Sequence, residues 1–344
     1  MKISKETITI NDSVLTLRAP ETQDAMILLD FLKKVSGETP YLIRTEEEVN
    51  IPLEKEISFI NRLNNSKTDF MIMAFLDDIF IGNCSMTSYP YNRQKHRADM
   101  GIALLQEYTD LGIGTILMDR LVSTAINNGI EKLELDVFSK NEKAIHLYNK
   151  YSFKEYNRIP NYSKYKDNSY DDLIYMVKDL RETISVNNNN YHIIRLLGKG
   201  KGGYSYLVQK NSQFYVLKQI HHEPCDYYTF SNKIESEYND YHKLKTTGLL
   251  IPRMIDIDFE NERIIKEYIE GPSISVLVKK KLMKDTYYSQ IEEMAQMLKE
   301  QNLNIDYYPT NFIVQNDLLY YIDYECNTYM EEYSYQVWGK QYWY

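Results

Sequence analysis

The chain has 344 residues and a formal net charge of −9 at pH 7, a length that favours two domains with separate cores. The negative charge argues against general binding of nucleic acid or anionic membranes, because either would require basic residues that neutralise phosphates. The three cysteines are scattered, no apolar run is long enough for a membrane span, and the segment 1–6 lacks the apolar stretch of a secretory signal. We therefore expect a cytoplasmic protein.

The first part of the chain alternates between strand and helix patterns, as is typical of a mixed α/β domain. Strands are predicted at 15–18, 70–75, 79–88, 97–105, 132–138 and 173–177, and helices at 21–36, 112–128 and 141–151. The run of four asparagines at 187–190 supplies no core surface and favours irregular backbone. We therefore place a first domain at 1–180 and an Asn-rich, irregular linker at 181–190.

The residues 191–344 are predicted to form a second domain. Strands are predicted at 193–207, interrupted by a glycine-rich loop, and at 214–220, 254–259, 263–268, 312–315 and 318–322, and helices at 232–246, 273–283 and 289–300. A β-rich lobe thus precedes a small helical lobe, on which the aromatic segment 333–344 is expected to pack. The predicted fold class is α/β (α+β) with two domains.

Two motifs in the first domain carry a specific resemblance. The stretches 101–105 and 110–115, which contain Gly112 and Gly114 at the start of a predicted helix, resemble the central motif of the GNAT acetyltransferases. The stretch 141–153 resembles the next motif of that family. The resemblance covers roughly 15–180 and implies a mixed sheet with flanking helices, acetyl-CoA as the cosubstrate, and a primary amine on a small molecule or peptide as the acceptor.

The resemblance also implies roles for individual residues. Glycine lets backbone N–H groups approach a phosphate, and a helix N-terminus attracts anions, so the pyrophosphate of coenzyme A is expected at the N–H groups of Leu111, Gly112, Gly114 and Thr115. The backbone of Ile102 and Leu104 is expected along the pantetheine arm, together with Asn141. Tyr148 is expected to protonate the departing thiolate, although packing in a helix is the alternative role for this tyrosine.

Two features of the first site differ from the family or stay open. Thr109 stands where the family often has a longer side chain with a hydrogen-bond donor. The general base that accepts the proton of the amine is not identified by sequence, and Asp99, Glu134 and Asp136 are all candidates because each is on a strand near the expected site.

The second domain carries a different set of motifs in a fixed order. Gly198, Gly200 and Gly203 form a glycine-rich loop, and Lys218 follows on the next strand. Further along, Asp306 and Asn311 have the spacing D-x-x-x-x-N, and Asp323 follows an apolar strand. The ensemble resembles small atypical kinase-like proteins such as the RIO kinases and the aminoglycoside phosphotransferases, and it implies a reduced bilobal protein-kinase-like fold.

Roles in phosphoryl transfer follow from this second resemblance. The three glycines and Lys218 are expected to hold the phosphates of ATP, with Lys218 oriented by Glu237 or, alternatively, by Glu235. Asn311 and Asp323 are expected to bind Mg²⁺, and Asp306 to orient the acceptor hydroxyl. Two further residues are expected to contact adenine at the hinge between the lobes: Glu267 and Ile269. The pair Asn304-Ile305 replaces the usual His-containing brace of the catalytic loop, so that loop is expected to lack its customary support.

The sequence therefore predicts a bifunctional enzyme, an acetyl-CoA-dependent N-acetyltransferase fused to an ATP-dependent phosphotransferase-like domain. The alternative is a single acetyltransferase that is regulated by an ATP-binding pseudokinase module, because such motifs establish binding geometry more readily than turnover.

Overall fold

The structure is a computed structural model that describes residues 1–10, 12–223 and 232–344. The chain divides into two compact units, the first mainly Asp12–Thr183 and the second mainly Leu196–Tyr344. Cys84 and Cys326 are buried free thiols, whereas Cys225 lies outside the described residues. No helix in the described ranges is long and apolar enough to span a membrane.

The first unit is built on an eight-stranded mixed sheet with the order β1-β2-β3-β4-β5-β6-β8-β7. Its strands are β1 (Glu6–Ile10), β2 (Ser13–Arg18), β3 (Phe70–Leu76), β4 (Ile79–Ser88), β5 (Arg97–Leu104), β6 (Lys132–Phe138), β7 (Lys154–Lys164) and β8 (Tyr170–Asp179). The pairing of β5 with β6 is parallel. The pairs β2–β3, β3–β4, β4–β5, β6–β8 and β7–β8 are antiparallel. The predicted mixed α/β architecture of this unit is confirmed.

Four helices accompany this sheet: α1 (Ala25–Glu38), α2 (Leu53–Asn65), α3 (Ile113–Asn127) and α4 (Glu142–Lys150). In α3 the apolar residues recur at helical spacing, and Ile113, Leu117 and Leu121 are fully or almost fully buried. Helix α2 was not predicted from the sequence, although its buried Ile60 and Leu63 are three residues apart, which is also a helical spacing. Strand β7 was not predicted either, because its residues are almost all exposed and show no alternation of apolar and polar side chains.

The prediction of irregular backbone at 181–190 is wrong. This segment contains β9 (Thr183–Val186) and the start of β10 (Asn189–Lys199). Between the two strands, Asn187 and Asn188 have φ values of 44° and 66°. A two-residue hairpin turn of type I′ has positive φ at both central residues, and asparagine tolerates that conformation better than most residues do. The asparagine run therefore forms the turn of a hairpin.

The second unit contains a six-stranded sheet with the order β13-β14-β12-β11-β10-β9. Its remaining strands are β11 (Gly203–Lys210), β12 (Gln213–Ile220), β13 (Met254–Asp258) and β14 (Arg263–Glu267). The helix α5 (Lys233–Lys245) lies between β12 and β13 in the chain. This sheet and helix correspond to the predicted β-rich lobe.

A helical part follows, with α6 (Ile274–Lys279) and α7 (Asp285–Glu300). Two small antiparallel ladders accompany these helices: β15 (Leu303–Ile305) with β18 (Cys326–Thr328), and β16 (Phe312–Gln315) with β17 (Leu318–Tyr321). Short helical turns form the segment 331–342, and its Tyr335, together with Trp343, is fully buried in the same core as Leu298 of α7. The prediction that the aromatic segment packs on the helical lobe is confirmed.

Candidate functional site

The first candidate site begins where two strands of the first unit diverge. The parallel pairing of β5 with β6 covers Arg97–Asp99 opposite Lys132–Glu134 and ends there. Beyond Asp99, β5 continues to pair with β4 as far as Leu104. The edge of β5 from residue 100 onward therefore faces an opening, in which unpaired backbone groups can contact a ligand.

The loop after β5 leads directly into the N-terminus of α3. Gly112 precedes the helix with φ +85° and has no heavy atom within 4 Å of the position that a Cβ would take. This backbone conformation is strained for residues with a side chain, so glycine is suited to the position. Because the helix begins at Ile113, the first N–H groups have no carbonyl four residues earlier in the helix to bind. One predicted donor is already engaged, since the Thr115 N–H donates to the Gly112 carbonyl at 3.0 Å.

A cleft of about 960 Å³ lies along this opening. Its lining includes most residues predicted for acetyl-CoA: Ile102, Leu104, Gly112, Gly114, Thr115, Asn141 and Tyr148. Leu111 is the predicted residue that does not line it. The segment 38–43, which begins at the last residue of α1, also lines the cleft, and its Ile43 is 70% exposed. The structure thus brings the two predicted motifs together around one cavity.

Tyr148 and Asn141 both belong to the α4 region at this cleft. Asn141 caps the helix, because its Oδ1 accepts a hydrogen bond from the Ala144 N–H at 3.3 Å. Tyr148 is 6% exposed, and burial raises the pKa of its hydroxyl, with a further contribution from the charge of Asp136. Within the described part of the chain, the hydroxyl has no hydrogen-bond partner. Tyr148 is therefore protonated at physiological pH and available to a ligand.

The three candidate bases have different surroundings. Glu134 is 5% exposed and engages Arg97 through both oxygens, and it also accepts a hydrogen bond from the Tyr89 hydroxyl at 3.3 Å. Asp99 accepts from the same hydroxyl at 3.1 Å, and burial raises its pKa. Asp136 is exposed and is the only one of the three that lines the cleft.

Basic side chains on α4 were not predicted as part of the site. Lys143, His146 and Lys150 all line the cleft, one helical turn apart along α4. The Lys150 Nζ lies 3.3 Å from Thr115 Oγ1 at the start of α3, and burial lowers the pKa of this lysine. In the sequence, the signal for these residues was the helical spacing of basic side chains within the second motif, 141–153. Basic side chains that line a cleft can hold the phosphates of a ligand.

The second candidate site is a charge cluster within the second unit. The Lys218 Nζ on β12 lies 2.6 Å from Glu237 Oε1 on α5 and 3.1 Å from Asp323 Oδ1. Glu237 is 1% exposed, whereas the alternative Glu235 is exposed. Although burial alone would raise the pKa of Asp323, the neighbouring Lys218 ammonium holds it well below its usual range. An anionic Asp323 is the form that binds a hard cation such as Mg²⁺.

Asp306 and Asn311 lie in a loop adjacent to this cluster. Asp306 is exposed and its Oδ1 accepts a hydrogen bond from the Tyr308 N–H at 3.0 Å. Asn311 donates from Nδ2 to the Asp306 carbonyl at 3.2 Å, and its own carbonyl accepts from the Ile322 N–H at 2.9 Å. The loop is therefore tied to the residue that precedes Asp323. In the ranges that the structure describes, no group of three or more His, Cys, Asp or Glu could hold a metal without further ligands.

The predicted glycine loop lies between β10 and β11. The Gly200 N–H donates to the Gly203 carbonyl at 2.9 Å, which closes the loop. A Cβ at Gly203 would lie 2.7 Å from the Gln219 carbonyl of β12, so a side chain does not fit there. Of the predicted hinge residues, Glu267 ends β14 and accepts from Arg253 Nε at 3.1 Å, and Ile269 is buried.

Sequence reasoning missed two further residues, one next to Asp323 and one next to the loop that carries Asp306. Lys266 is 6% exposed, and its Nζ donates to the Ile322 carbonyl at 2.6 Å. Burial and the nearby Lys218 charge lower its pKa to about 8. Trp343, which is fully buried, donates from its indole Nε1 to the Tyr307 carbonyl at 2.8 Å. A lysine that directly follows the apolar pair Ile264-Ile265 of a strand was a readable signal for the first residue, whereas nothing local indicated the second.

A match to a known protein family lies within the first unit. Residues 37–153 match the model of the Acetyltransferase (GNAT) family. The L-amino acid N-acetyltransferase AaaT of Escherichia coli (strain K12) is 23% identical over 142 residues, which are 41% of this chain and 83% of that protein. An acetyltransferase of the GNAT family from Streptococcus pneumoniae is 27% identical with a TM-score of 0.46, and the match covers 48% of this chain and 99% of that one. A putative acetyltransferase, yncA, from Salmonella typhimurium is 14% identical with a TM-score of 0.44, over 50% and 96% of the two chains.

The family match and the mixed sheet agree on the nature of the first unit. The matched residues contain both sequence motifs and the whole of β3 to β6, α3 and α4. The N-terminal half of the chain therefore carries an acetyltransferase domain of the GNAT type.

Proposed function

We propose that the first unit transfers the acetyl group of acetyl-CoA to a primary amine. The observation that carries this proposal is the cleft that joins the diverging edge of β5, the N-terminus of α3 and Tyr148. An extended thioester ligand needs these three elements: a strand edge for its amide-containing arm, N–H groups for its pyrophosphate, and a proton donor near its sulfur.

The protein's residues would act chiefly by positioning. The Gly112–Gly114 turn and Lys150 would hold the phosphates, and the edge of β5 would orient the arm so that the thioester lies beside Tyr148. The amine attacks the thioester carbon directly, the C–S bond breaks, and Tyr148 gives its proton to the leaving sulfur. Positioning of this kind accounts for much of the rate enhancement in bimolecular transfers.

Only the neutral amine has the lone pair that attacks, so a base must first accept a proton from the substrate ammonium. Among the candidates, Glu134 is engaged by Arg97, so its lone pairs are largely occupied. Asp136 lines the cleft on the side of Tyr148, and we propose that it accepts the proton through a water molecule. Asp99, with its raised pKa, is the alternative. The similar protein from Escherichia coli is named for L-amino acids, and a small primary amine of that class is the acceptor that we propose to test first.

The binding part of this proposal can be tested with two glycine variants. Gly112 and Gly129 have φ values of +85° and +72°, and neither has a heavy atom within 4 Å of an added Cβ. Gly129 follows the other end of α3 and does not line the cleft. Calorimetry should therefore show that Gly112→Asp abolishes acetyl-CoA binding and that Gly129→Asp retains it. Equal affinities for the two variants would refute the assigned phosphate cradle.

We further propose that the second unit binds Mg·ATP. The observation that favours this function is the Lys218–Glu237 ion pair at 2.6 Å, held next to Asp323 beneath a closed glycine loop. Lys218 would hold phosphate oxygens, and Asp323 with Asn311 would hold Mg²⁺, which neutralises phosphate charge when it is bound. Asp306 would orient an acceptor hydroxyl, so that the unit transfers a phosphoryl group. The alternative is an ATP-binding module that regulates the acetyltransferase without turnover.

Two aspartate variants separate these possibilities. Asp323→Asn should remove the Mg²⁺-dependent part of ATP affinity, because a carboxylate oxygen is replaced by a neutral amide. Asp306→Asn should leave ATP affinity intact and abolish only ATP consumption. ATP affinity that rises with Mg²⁺ as strongly in Asp323→Asn as in the wild type would refute the metal site. Binding without consumption by the wild type, across a range of acceptors, would favour the regulatory module.

A further inference from the structure

The loop that carries Asp306 and Asn311 is contacted by residues 335–343 of the aromatic segment 333–344. Trp343 donates its indole N–H to the Tyr307 carbonyl at 2.8 Å, and Tyr335 packs against the Tyr307 ring at 5.8 Å between centroids. These three aromatic side chains are at most 1% exposed. Tyr307 directly follows Asp306, so a contact that fixes the Tyr307 peptide also fixes the direction of the neighbouring carboxylate.

The same segment contacts the loop at two further points. The rings of Tyr308 and Tyr342 meet at 5.1 Å between centroids. A Cβ added at Gly339 would lie 2.6 Å from the Cβ of Tyr307, so the backbone of the segment touches the loop. Trp343 is itself held in place. Its ring packs on that of Phe312 at 5.1 Å between centroids, and its backbone carbonyl accepts a hydrogen bond from the Tyr288 hydroxyl at 3.0 Å.

We propose that the aromatic segment 335–343 positions the 306–311 loop, with Trp343 as the principal positioning residue. The residues Asn304-Ile305 were expected to leave this loop without support. The indole–carbonyl hydrogen bond and the Gly339 contact supply a support from elsewhere in the chain. This inference rests on the proposed nucleotide site. There, Trp343 would keep Asp306 oriented toward the acceptor hydroxyl and Asn311 oriented toward Mg²⁺.

The chain offers a matched control for Trp343. Its two tryptophans are Trp338 and Trp343, and both belong to the aromatic segment. The Trp338 indole has no hydrogen-bond partner in the described ranges. Trp343→Phe therefore removes a hydrogen bond while it keeps an aromatic ring in the core, whereas Trp338→Phe changes the ring alone. Each variant also retains one tryptophan as a fluorescent reporter.

The first measurement is hydrogen exchange of the full chain without nucleotide. In Trp343→Phe the Tyr308 and Asn311 amides, which are hydrogen-bonded within the loop, should exchange about fivefold to tenfold faster than in Trp338→Phe. The amides of β11 and β12 should be unchanged. Gly339→Ala, which presses on Tyr307 from the other side, should accelerate exchange at the same two amides. Loop exchange equal to that of Trp338→Phe, or exchange accelerated throughout the second unit, would overturn the proposal.

The second measurement connects the loop to the site. Tryptophan fluorescence is used to titrate each variant with Mg·ATP and, separately, with ATP alone. The affinity for Mg·ATP should be about fivefold weaker in Trp343→Phe than in Trp338→Phe. The affinities of the two variants for ATP alone should be equal. Unequal affinities for ATP alone would overturn the positioning role. If the wild type does not bind Mg·ATP, the proposed nucleotide site itself fails, and that result is distinguishable because it appears without any variant.

Discussion

Replacing Tyr148 by phenylalanine removes one hydroxyl from the centre of the proposed acetyl-transfer site. The tyrosine is 6% exposed and its ring packs on Phe153 at 5.8 Å between centroids, a contact that phenylalanine retains. The hydroxyl has no partner among the residues that the structure describes. The change should therefore alter the free energy of unfolding by no more than about 0.5 kcal/mol.

The effect on catalysis should be much larger. General acid help contributes typically about 10²–10⁴ in rate, which corresponds to roughly 3–5 kcal/mol of transition-state stabilisation. Burial and the charge of Asp136 both raise the pKa of Tyr148, so the wild-type residue remains a proton donor up to at least pH 10. We expect kcat to fall by about 10²-fold or more, with little change in acetyl-CoA affinity.

The assay is steady-state release of free thiol from acetyl-CoA in the presence of an amine, together with calorimetry of acetyl-CoA binding. Tyr170→Phe is the control, because Tyr170 is 48% exposed and does not line the cleft. A Tyr148→Phe enzyme with the kcat of Tyr170→Phe at saturating substrates would refute the acid role and leave Tyr148 as a packing residue.

Two predictions concern stability. Glu237→Gln breaks a buried ion pair with Lys218 and should lower the free energy of unfolding of the second unit by about 3 kcal/mol, whereas exposed Glu235→Gln should change it by less than about 0.5 kcal/mol. Urea unfolding followed by tryptophan fluorescence reports this unit, and equal midpoints would contradict the prediction. Burial lowers the pKa of Lys178 from its ordinary 10.5 to about 8. Between these two pH values the unfolded chain binds more protons than the folded chain, so stability rises with pH. We therefore expect the free energy of unfolding of the wild type to rise with pH relative to that of Lys178→Met. Circular dichroism would measure this difference, and parallel pH profiles for the two proteins would contradict it.

The sequence predicted those features that depend on short-range patterns. Gly112 and Gly114 at the start of an amphipathic helix, and the spacing from Asn141 to Tyr148, were readable because each motif is local. Two acidic residues on the helix after Lys218 were candidates, Glu237 and, as the alternative, Glu235, and the carboxylate of Glu237 contacts the lysine. Strand ends and helix starts differed by a few residues, because capping turns are weakly encoded.

Other features depend on contacts that no local pattern encodes. The asparagine run predicted a linker, but asparagine is common both in irregular loops and in hairpin turns with positive φ, and composition alone does not distinguish the two. The indole of Trp343 meets the Tyr307 carbonyl across 36 residues, and only the packed core brings them together. Lys150 is half-buried and Lys266 is buried, and their roles follow from the neighbours that tertiary structure gives them.

The central claim, that the first unit acetylates a primary amine at the Tyr148 cleft, is tested most directly by following the acetyl group itself. The 344-residue chain is incubated with isotopically labelled acetyl-CoA and a panel of amino acids and other primary amines, and the products are identified by mass spectrometry. The claim predicts a labelled N-acetyl product from at least one amine with the wild type, and strongly reduced formation of the same product with Tyr148→Phe. A protein that binds acetyl-CoA yet labels no amine above the rate without protein would contradict it.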